Sequence, residues 1–384
     1  MKRSNGEGTI FKRSDGRWCA AYYDEEPTHK RHFVYGKSQK EVKQKLQEKK
    51  NYPGASNRTE NSYTLQQWIQ FYLENYKKNE VKETTYGAYQ ELYRKHIENS
   101  DIGKTKLKRI TANQLQQFYN NKTAMGYSAK TVRHMYVIIN SSLEKALQLK
   151  YIKENSNRAV VLPKKETYKA KILSKDEVKI ILSKAKNDEL YPIIALTLFT
   201  GLRKGEVMAL KWQNIDFDKQ ELSVEGSLGR VIKEIDSKGH ICHEYKVLEP
   251  KTEKSKRIIP LSDIAVEALK IQKQTQNLIK KKNSAIYEDR GLVFARADGN
   301  FLNQRQFMDD YHKFMKKYGI TEIRFHDLRH TFASMLLETG QSMKMVQELL
   351  GHSTITTSMD LYTHVTQTAK DRAIESLNNM VVID

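Results

Sequence analysis

Apolar positions follow two different periods along the chain. In the first fifty residues they alternate with polar positions, as at Trp18 and Ala20, and an Asp15-Gly16 turn separates two such runs. Alternation around an Asp-Gly turn predicts a β-hairpin. We therefore expect a three-stranded sheet, completed by residues 31–35, and a helix over residues 38–50.

From Thr64 the apolar spacing changes to three and four residues, which is typical of helices with one buried face. Further stretches with this spacing begin near Thr84, Thr111 and Ser128, so we expect four helices. The first buried face comprises Leu65, Trp68, Ile69 and Tyr72. A stripe of tyrosines at positions 86, 89 and 93 has two interpretations, base stacking or core packing, and we favour core packing.

Two polar stretches without periodicity, residues 51–62 and 157–171, interrupt these patterns and predict linkers. After the second, Ser174 and Glu177 form a capping box that predicts the start of a helix. A β region follows over residues 215–260, and helices resume at Ser262. We expect a mainly α fold with small β regions (α+β), organised as residues 1–56, 62–156 and 170–384.

The charge of the chain indicates its partner. Of 384 residues, 66 are Lys or Arg and 46 are Asp or Glu, which leaves a net charge of +20. Such an excess usually serves binding to a polyanion, most often nucleic acid, although a basic surface can also serve solubility. With Cys19 and Cys242 as the only cysteines, we expect a reduced, cytoplasmic setting and no disulfide scaffold. No apolar run is long enough for a membrane span, and no signal peptide is recognisable.

The last part of the chain carries candidate chemistry. Its elements are the segments Thr200-Gly201-Leu202-Arg203, Phe325-His326-Asp327-Leu328-Arg329-His330, Leu350-Gly351-His352 and Leu361-Tyr362. Two arginines can hold the non-bridging oxygens of a phosphodiester while a tyrosine hydroxyl attacks its phosphorus. In these residues the sequence resembles the tyrosine recombinases, the phage-type integrases.

The resemblance implies a catalytic set in the family's order: Arg203, Lys251, His326, Arg329, His352 and Tyr362. Tyr362 would be the nucleophile, Lys251 the general acid for the departing 5′ hydroxyl, and His352 a hydrogen-bond donor to the phosphate. Because bond energy is retained in the protein–DNA link, the resemblance implies no ATP, no metal and no other cofactor.

The resemblance also implies partners. They are double-stranded DNA with core and arm attachment sites, a homotetramer on that DNA, and in many such integrases an excisionase and a host DNA-bending protein. It implies a bacterial cytoplasmic protein that is associated with the nucleoid when active. Residues 1–56 would bind arm sites through Lys12, Arg13, Arg17 and Arg31, and the linker would follow DNA through Lys164 and Lys165.

Each residue alone also has an ordinary structural interpretation. His352 can cap a helix at Gly351, Tyr362 can be a core residue, and Glu206 can either hold Arg203 or brace its helix. The glycines beside Arg203 can let backbone approach a phosphate. His326 and His330 have the spacing of a zinc pair, but Asp327 replaces the glutamate of that motif and no third ligand is evident.

Two other functions remain open from the residues. A type IB-like topoisomerase shares the chemistry but rejoins the same strand, and a DNA-binding regulator descended from a recombinase would bind without cutting. The presence of all six residues argues against a silent regulator, and the predicted N-terminal sheet argues against a topoisomerase.

Overall fold

The computed structural model describes residues 9–23, 31–50, 63–165, 168, 170–235, 241–249 and 256–351. As far as they are described, the residues fall into two compact units. The first comprises Met1–Glu74 and Tyr93–Leu162, and the second comprises Asn75–Leu92 and Pro163–Asp384. The expected mainly helical fold with small antiparallel sheets is confirmed.

The described residues begin with the predicted sheet and helix: β1 (Thr9–Lys12), β2 (Trp18–Tyr23), β3 (Arg31–Gly36) and α1 (Gln39–Lys50). The strands are antiparallel in the order β1-β2-β3. Val42 and Leu46 of α1 pack on Ala20 and cover one face of the sheet. Aromatic side chains of β1 and β3 remain 38–44% exposed: Phe11, Phe33 and Tyr35.

The next helices are α2 (Leu65–Tyr72), α3 (Glu83–Leu92), α4 (Asp101–Lys104), α5 (Ala112–Ala124) and α6 (Ala129–Gln148). The apolar face predicted for α2 is buried, and Trp68 Nε1 donates a hydrogen bond to the carbonyl of Ser142 in α6 at 2.7 Å. Thr64 caps α2 through a reciprocal bond with Gln67. The short α4 was not predicted, because four residues are too few to show a period.

The second unit contains α7 (Lys175–Lys184), α8 (Tyr191–Thr200), α9 (Lys204–Ala209), β4 (Ile215–Asp216), β5 (Glu221–Val224), β6 (Ser227–Ile235), β7 (Ile241–Leu248), β8 (Arg257–Pro260), α10 (Asp263–Lys282), α11 (Gln304–Lys317), α12 (Asp327–Glu338) and α13 (Met343–Leu350). Strands β4, β5 and β8 form one antiparallel sheet, and β6 and β7 form a separate ribbon. Helix α8 is buried along nearly its whole length and packs against α10 and α12. The capping box at Ser174 and the central β region are confirmed.

Helix α3 belongs by its contacts to the second unit, where it packs on β6. Small residues allow the close approach: a Cβ added to Gly87 would lie 3.4 Å from Ile232, and one added to Gly229 would lie 3.1 Å from Thr84. His243 Nε2 of β7 lies 2.8 Å from the carboxylate of Glu91 on α3. Of the three tyrosines of the predicted stripe, Tyr93 is buried, and Tyr86 and Tyr89 are partly exposed.

Among the helices that the structure describes, none has the length and apolar character needed to cross a membrane. Residues 352–384 lie outside the described residues.

Candidate active site

Arg203 lies where α8 turns into α9. Helix α8 ends at Gly201, which has a left-handed backbone with φ of +62°. Arg203 then occupies the position before α9, and its Nη1 donates to Glu206 Oε1 at 2.7 Å. Its backbone N–H donates to Glu206 Oε2 at 2.9 Å. Glu206 thus both holds the guanidinium and caps the helix, and the buried α8 anchors the turn.

The structure gives the two glycines of this turn a role other than phosphate approach. A Cβ on Gly201 would lie 2.6 Å from Phe332 Cδ1 and 2.7 Å from Leu350 Cδ2. A Cβ on Gly205 would collide with Ser227 Oγ. Both glycines therefore lie at close contacts of the protein with itself.

Arg329 is almost fully buried in the first turn of α12, with 1% of its surface exposed. Its Nη1 donates to the carbonyl of Gly201 at 2.7 Å, and its Nη2 donates to the carbonyl of Leu350 at 2.6 Å. Its Nε has no hydrogen-bond partner among the described residues. Burial, reinforced by the charge of Arg203, lowers the pKa of Arg329. A desolvated guanidinium with an unused donor favours the binding of an anion.

Arg203 reaches the same helix end as Arg329. Its Nη2 donates to the carbonyl of Gly351 at 3.1 Å, next to the Leu350 carbonyl that Arg329 occupies. Gly351 caps α13 with φ of +64°, as predicted. Two arginines that are far apart in sequence are therefore brought together at the C-terminal end of α13.

His326 precedes α12, so it lies beside the N-terminal end of that helix. Its ring centroid is 5.2 Å from that of His330, and the two rings are perpendicular. Desolvation, followed by the positive charges of His330 and Arg329, lowers the pKa of His326, although the side chain retains solvent exposure. This shift favours the neutral imidazole, which can donate one hydrogen bond. The described residues contain no group of three or more candidate metal ligands.

Three members of the predicted set lie outside the described residues: Lys251, His352 and Tyr362. The structure thus brings together Arg203, His326 and Arg329. Lys251 falls between β7 and β8 in the sequence, and His352 directly follows the described end of α13.

One charged residue of the site was missed by sequence reasoning. Arg257, at the start of β8, donates from Nε to the carbonyl of Leu349 at 2.7 Å. Its Nη2 lies 2.9 Å from Glu206 Oε2, in an ion pair in which both side chains are 5–6% exposed. The sequence places it in a run of lysines and arginines, where no local signal distinguishes a buried guanidinium from exposed ones.

The residues predicted to contact DNA lie at two places. Lys12, Arg13 and Arg17 lie in or beside the β1–β2 hairpin, where Arg17 is paired with Asp15 at 2.8 Å. Arg31 is the first residue of β3, and the structure does not describe its side chain. Two further candidates are exposed on the segment before α7: Lys164 and Lys165.

A mainly helical α+β chain with two convergent arginines and a histidine at helix ends is suited to binding a phosphodiester. The chain belongs to the phage integrase family, the tyrosine recombinases. The model described as "Phage integrase family" matches residues 171–369, and the model described as "Phage integrase, N-terminal SAM-like domain" matches residues 64–123.

Curated relatives agree with this assignment. A "Tyrosine recombinase XerC-like" protein of Caldanaerobacter subterraneus subsp. tengcongensis is 32% identical over 365 residues, which cover 91% of each chain. The "ICEBs1 integrase" of Bacillus subtilis is 24% identical over 289 residues, which cover 75% of each chain.

Solved structures show the same fold. The Tn1549 transposon integrase in complex with a circular intermediate DNA matches with a TM-score of 0.65 at 22% identity, over 82% of this chain and 100% of that one. A lambda integrase tetramer bound to a Holliday junction matches with a TM-score of 0.56 at 19% identity, over 94% of this chain and 96% of that one.

Proposed function

We propose that this site-specific recombinase integrates and excises a mobile element by cutting and rejoining DNA through a 3′-phosphotyrosyl intermediate. The observation that carries the proposal is the convergence of Arg203 and Arg329 on adjacent carbonyls at the end of α13. Two neighbouring guanidiniums supply donors for the two non-bridging oxygens of one phosphate. Family membership supports the same reaction.

The proposed first step joins Tyr362 to DNA. Its hydroxyl loses its proton to solvent, the phenolate oxygen attacks the scissile phosphorus to form a phosphorus–oxygen bond, and the bond to the 5′ oxygen breaks. Lys251 gives its proton to the departing 5′ oxygen. Arg203 and Arg329 stabilise the negative charge that develops on the phosphate, and His326 and His352 hydrogen-bond to it. A tyrosine has an ordinary pKa of ~10, so these cations also favour the attacking phenolate.

The proposed second step reverses the first on a partner duplex. A 5′ hydroxyl of the partner attacks the phosphotyrosyl bond and releases Tyr362. One phosphodiester is formed for each one broken, so the cycle requires neither ATP nor metal. Two rounds of exchange require four active sites, and we propose a homotetramer on DNA; the tetrameric form of lambda integrase on a Holliday junction supports this.

The proposed division of labour follows the expected domains. Residues 1–56 would bind arm sites, residues 62–156 would bind one face of the core site, and residues 170–384 would cut it. The exposed aromatic side chains of the N-terminal sheet and the basic hairpin beside them support DNA binding by the first domain. An excisionase and a host DNA-bending protein are proposed partners in the bacterial cytoplasm, where the protein would associate with the nucleoid when active.

The experiment that tests this proposal uses nicked duplexes cut from the DNA that flanks the gene, where the ends of a mobile element should lie. A nick near the cleavage point lets the short 5′-hydroxyl fragment diffuse away, so any covalent protein–DNA product accumulates. We expect a covalent band with the unsubstituted protein and none with Tyr362→Phe. Tyr318→Phe is the matched control, because it also removes one tyrosine hydroxyl, and it should retain the band.

The alternatives give different results in the same assay. Covalent bands on unrelated duplexes, together with relaxation of any plasmid, would favour a type IB-like topoisomerase. Tight binding with no covalent band on any flanking fragment would favour a silent DNA-binding regulator.

A further inference from the structure

Three arginines converge on one helix end in the second unit. The last three carbonyls of the α13 end, those of Leu349, Leu350 and Gly351, each accept a hydrogen bond from a different guanidinium. Carbonyls in the last turn of a helix lack intrahelical partners and form the negative end of the helix dipole. They therefore stabilise three like charges at close range. Two of the donors are the proposed phosphate ligands, and the third is Arg257.

The bonds of Arg257 are directed at protein. Its Nε donates to Leu349, and Nη1 and Nη2 lie 3.2 and 2.9 Å from the two oxygens of Glu206. The side chain is only 6% exposed. All three nitrogens of Arg257 donate to protein, whereas the Nε of Arg329 has no partner among the described residues. Any effect of Arg257 on catalysis must therefore pass through its partners.

Those partners are parts of the active site. The same Glu206 carboxylate accepts hydrogen bonds from Nη1 and from the backbone N–H of Arg203. Burial alone would raise the pKa of Glu206, but hydrogen bonds and charge from Arg257, together with the charge of Arg203, lower it, so the carboxylate is ionised. Arg257 therefore links the group that orients Arg203 to the end of α13, from which the chain continues into His352.

We propose that Arg257 is a positioning residue for strand cleavage, which sets the orientation of Arg203 through Glu206 and fixes the end of α13 through Leu349. This rests on the proposed function, because it assumes that Arg203 binds the scissile phosphate. Lysine cannot replace it, since a single ammonium lacks the planar fork that spans Glu206 and the Leu349 carbonyl.

The test is a double-mutant cycle in the full-length protein on the nicked duplex. Single-turnover cleavage is measured at saturating protein for the unsubstituted chain, Arg257→Gln, Arg203→Ala and the double variant. Arg257→Gln and Arg257→Lys are expected to cleave about 10²-fold more slowly, which is the effect of a misplaced catalytic group. DNA affinity should change by less than about threefold, because contacts with many phosphates supply most of the affinity of such proteins.

The cycle separates positioning from a general structural effect. If Arg257 acts through Arg203, Arg257→Gln adds little to the loss already caused by Arg203→Ala. Asp188→Asn is the stability control: it weakens another partly buried pair of this unit, Asp188 with Lys317 at 2.7 Å, away from the three arginines. This control should lower the melting temperature yet cleave at the normal rate.

Several outcomes would overturn the role of Arg257. They are normal cleavage by Arg257→Gln, fully additive losses in the cycle, and a loss that follows the melting temperature as in Asp188→Asn. Failure of both Arg257 variants to fold would assign the residue to stability alone. Absence of covalent product with the unsubstituted protein is a different result, because it rejects the proposed function itself.

Discussion

At the residue scale, Gly201 shows how backbone conformation and catalytic geometry meet. Its positive φ ends α8, and its carbonyl accepts a hydrogen bond from Arg329. Because it has no side chain, Phe332 and Leu350 can pack closely against it. Gly340 has a similar backbone, with φ of +86°, but nothing lies within 4 Å of its Cβ position. The two glycines therefore form a matched pair that separates backbone strain from packing.

Gly201→Ala is expected to be more damaging than Gly340→Ala. The left-handed conformation should cost each variant about 1–2 kcal/mol of unfolding free energy. The collision at Gly201 should add about 1–3 kcal/mol and displace Arg329, so that covalent product is lost. Urea unfolding and the nicked-duplex assay measure the two effects. Equal losses in both variants would show that packing around Gly201 is not tight.

His96 provides a second residue-scale prediction. Its side chain is 4% exposed and its ring packs edge-on against Tyr127 at 4.7 Å. Burial, followed by the charges of Lys122 and Lys95, lowers the pKa of His96 to about 4 from its ordinary value of 6.5. The folded state thus binds its proton less readily than the unfolded state. The stabilising effect is complete above pH 6.5 and is lost as the pH falls from 6.5 towards about 4.

The pH dependence can be measured by urea unfolding followed through helix content. Between about pH 7 and about pH 5, His96 should account for a loss of up to about 2 kcal/mol of unfolding free energy. His96→Gln should flatten this dependence, and His134→Gln, at an exposed histidine, is the control for loss of one imidazole. A His96→Gln protein with the same pH profile as the unsubstituted chain would contradict the assignment.

Whether a contact of the active site could be predicted from the sequence depends on how far apart its two residues lie along the chain. The link between Arg203 and Glu206 spans three residues, so the sequence could suggest it. The link between Arg257 and Glu206 spans 51 residues and joins two elements that only the folded chain brings together. Nothing in a run of lysines and arginines indicates which one is buried.

At the element scale, the same distinction holds. Capping boxes at Thr64 and Ser174 are local and mark helix starts that the structure confirms. The partner of α3 could not be predicted, because periodicity shows that a helix has a buried face but not which element covers it. Short helices such as α4 escape detection for lack of length.

The segment before α7 is fastened to α12 at two points. The Tyr168 hydroxyl donates to Asp327 Oδ2 at 2.7 Å, and the Leu173 N–H donates to Thr331 Oγ1 at 3.1 Å. The guanidinium of Arg324 lies 3.2 Å from the centre of the Tyr168 ring and pairs with Asp327 at 2.9 Å. These contacts hold the first turn of the helix that carries Arg329.

Loosening this attachment is expected to slow cleavage without weakening DNA binding. Asp327→Asn removes the negative charge that Tyr168 and Arg324 both contact. It should reduce the single-turnover cleavage rate by about tenfold or more through displacement of α12. Tyr168→Phe removes only one bond and should have a smaller effect. Tyr318→Phe removes a comparable bond, to Asp188 at 3.1 Å, and should cleave normally. Parallel losses in rate and DNA affinity in Asp327→Asn would point to unfolding instead.

At the scale of the whole molecule, the net charge of the sequence was informative about its partner. The net charge of +20 indicated that the partner is nucleic acid. Residues 64–123 and 171–369 match domains of the phage integrase family, whose members recombine DNA. Residues 1–50 hold 13 Lys or Arg against 7 Asp or Glu, so they carry a disproportionate share of the excess. The N-terminal sheet has its own small core, centred on Ala20, Val42 and Leu46.

Deletion of residues 1–56 is therefore expected to separate two kinds of DNA binding. The shortened chain should still form covalent product on a nicked core duplex, because every proposed catalytic residue lies beyond position 200. It should fail to support complete recombination between attachment sites that include arm sequences. Since each phosphate contact contributes a slope of about −0.9 to the dependence of log affinity on log salt, the slope on arm-containing DNA should become shallower by several units. A shortened chain with unchanged salt dependence and full recombination would remove the N-terminal sheet from the DNA-binding surface, because the contacts that set the slope would then all lie in the remaining chain.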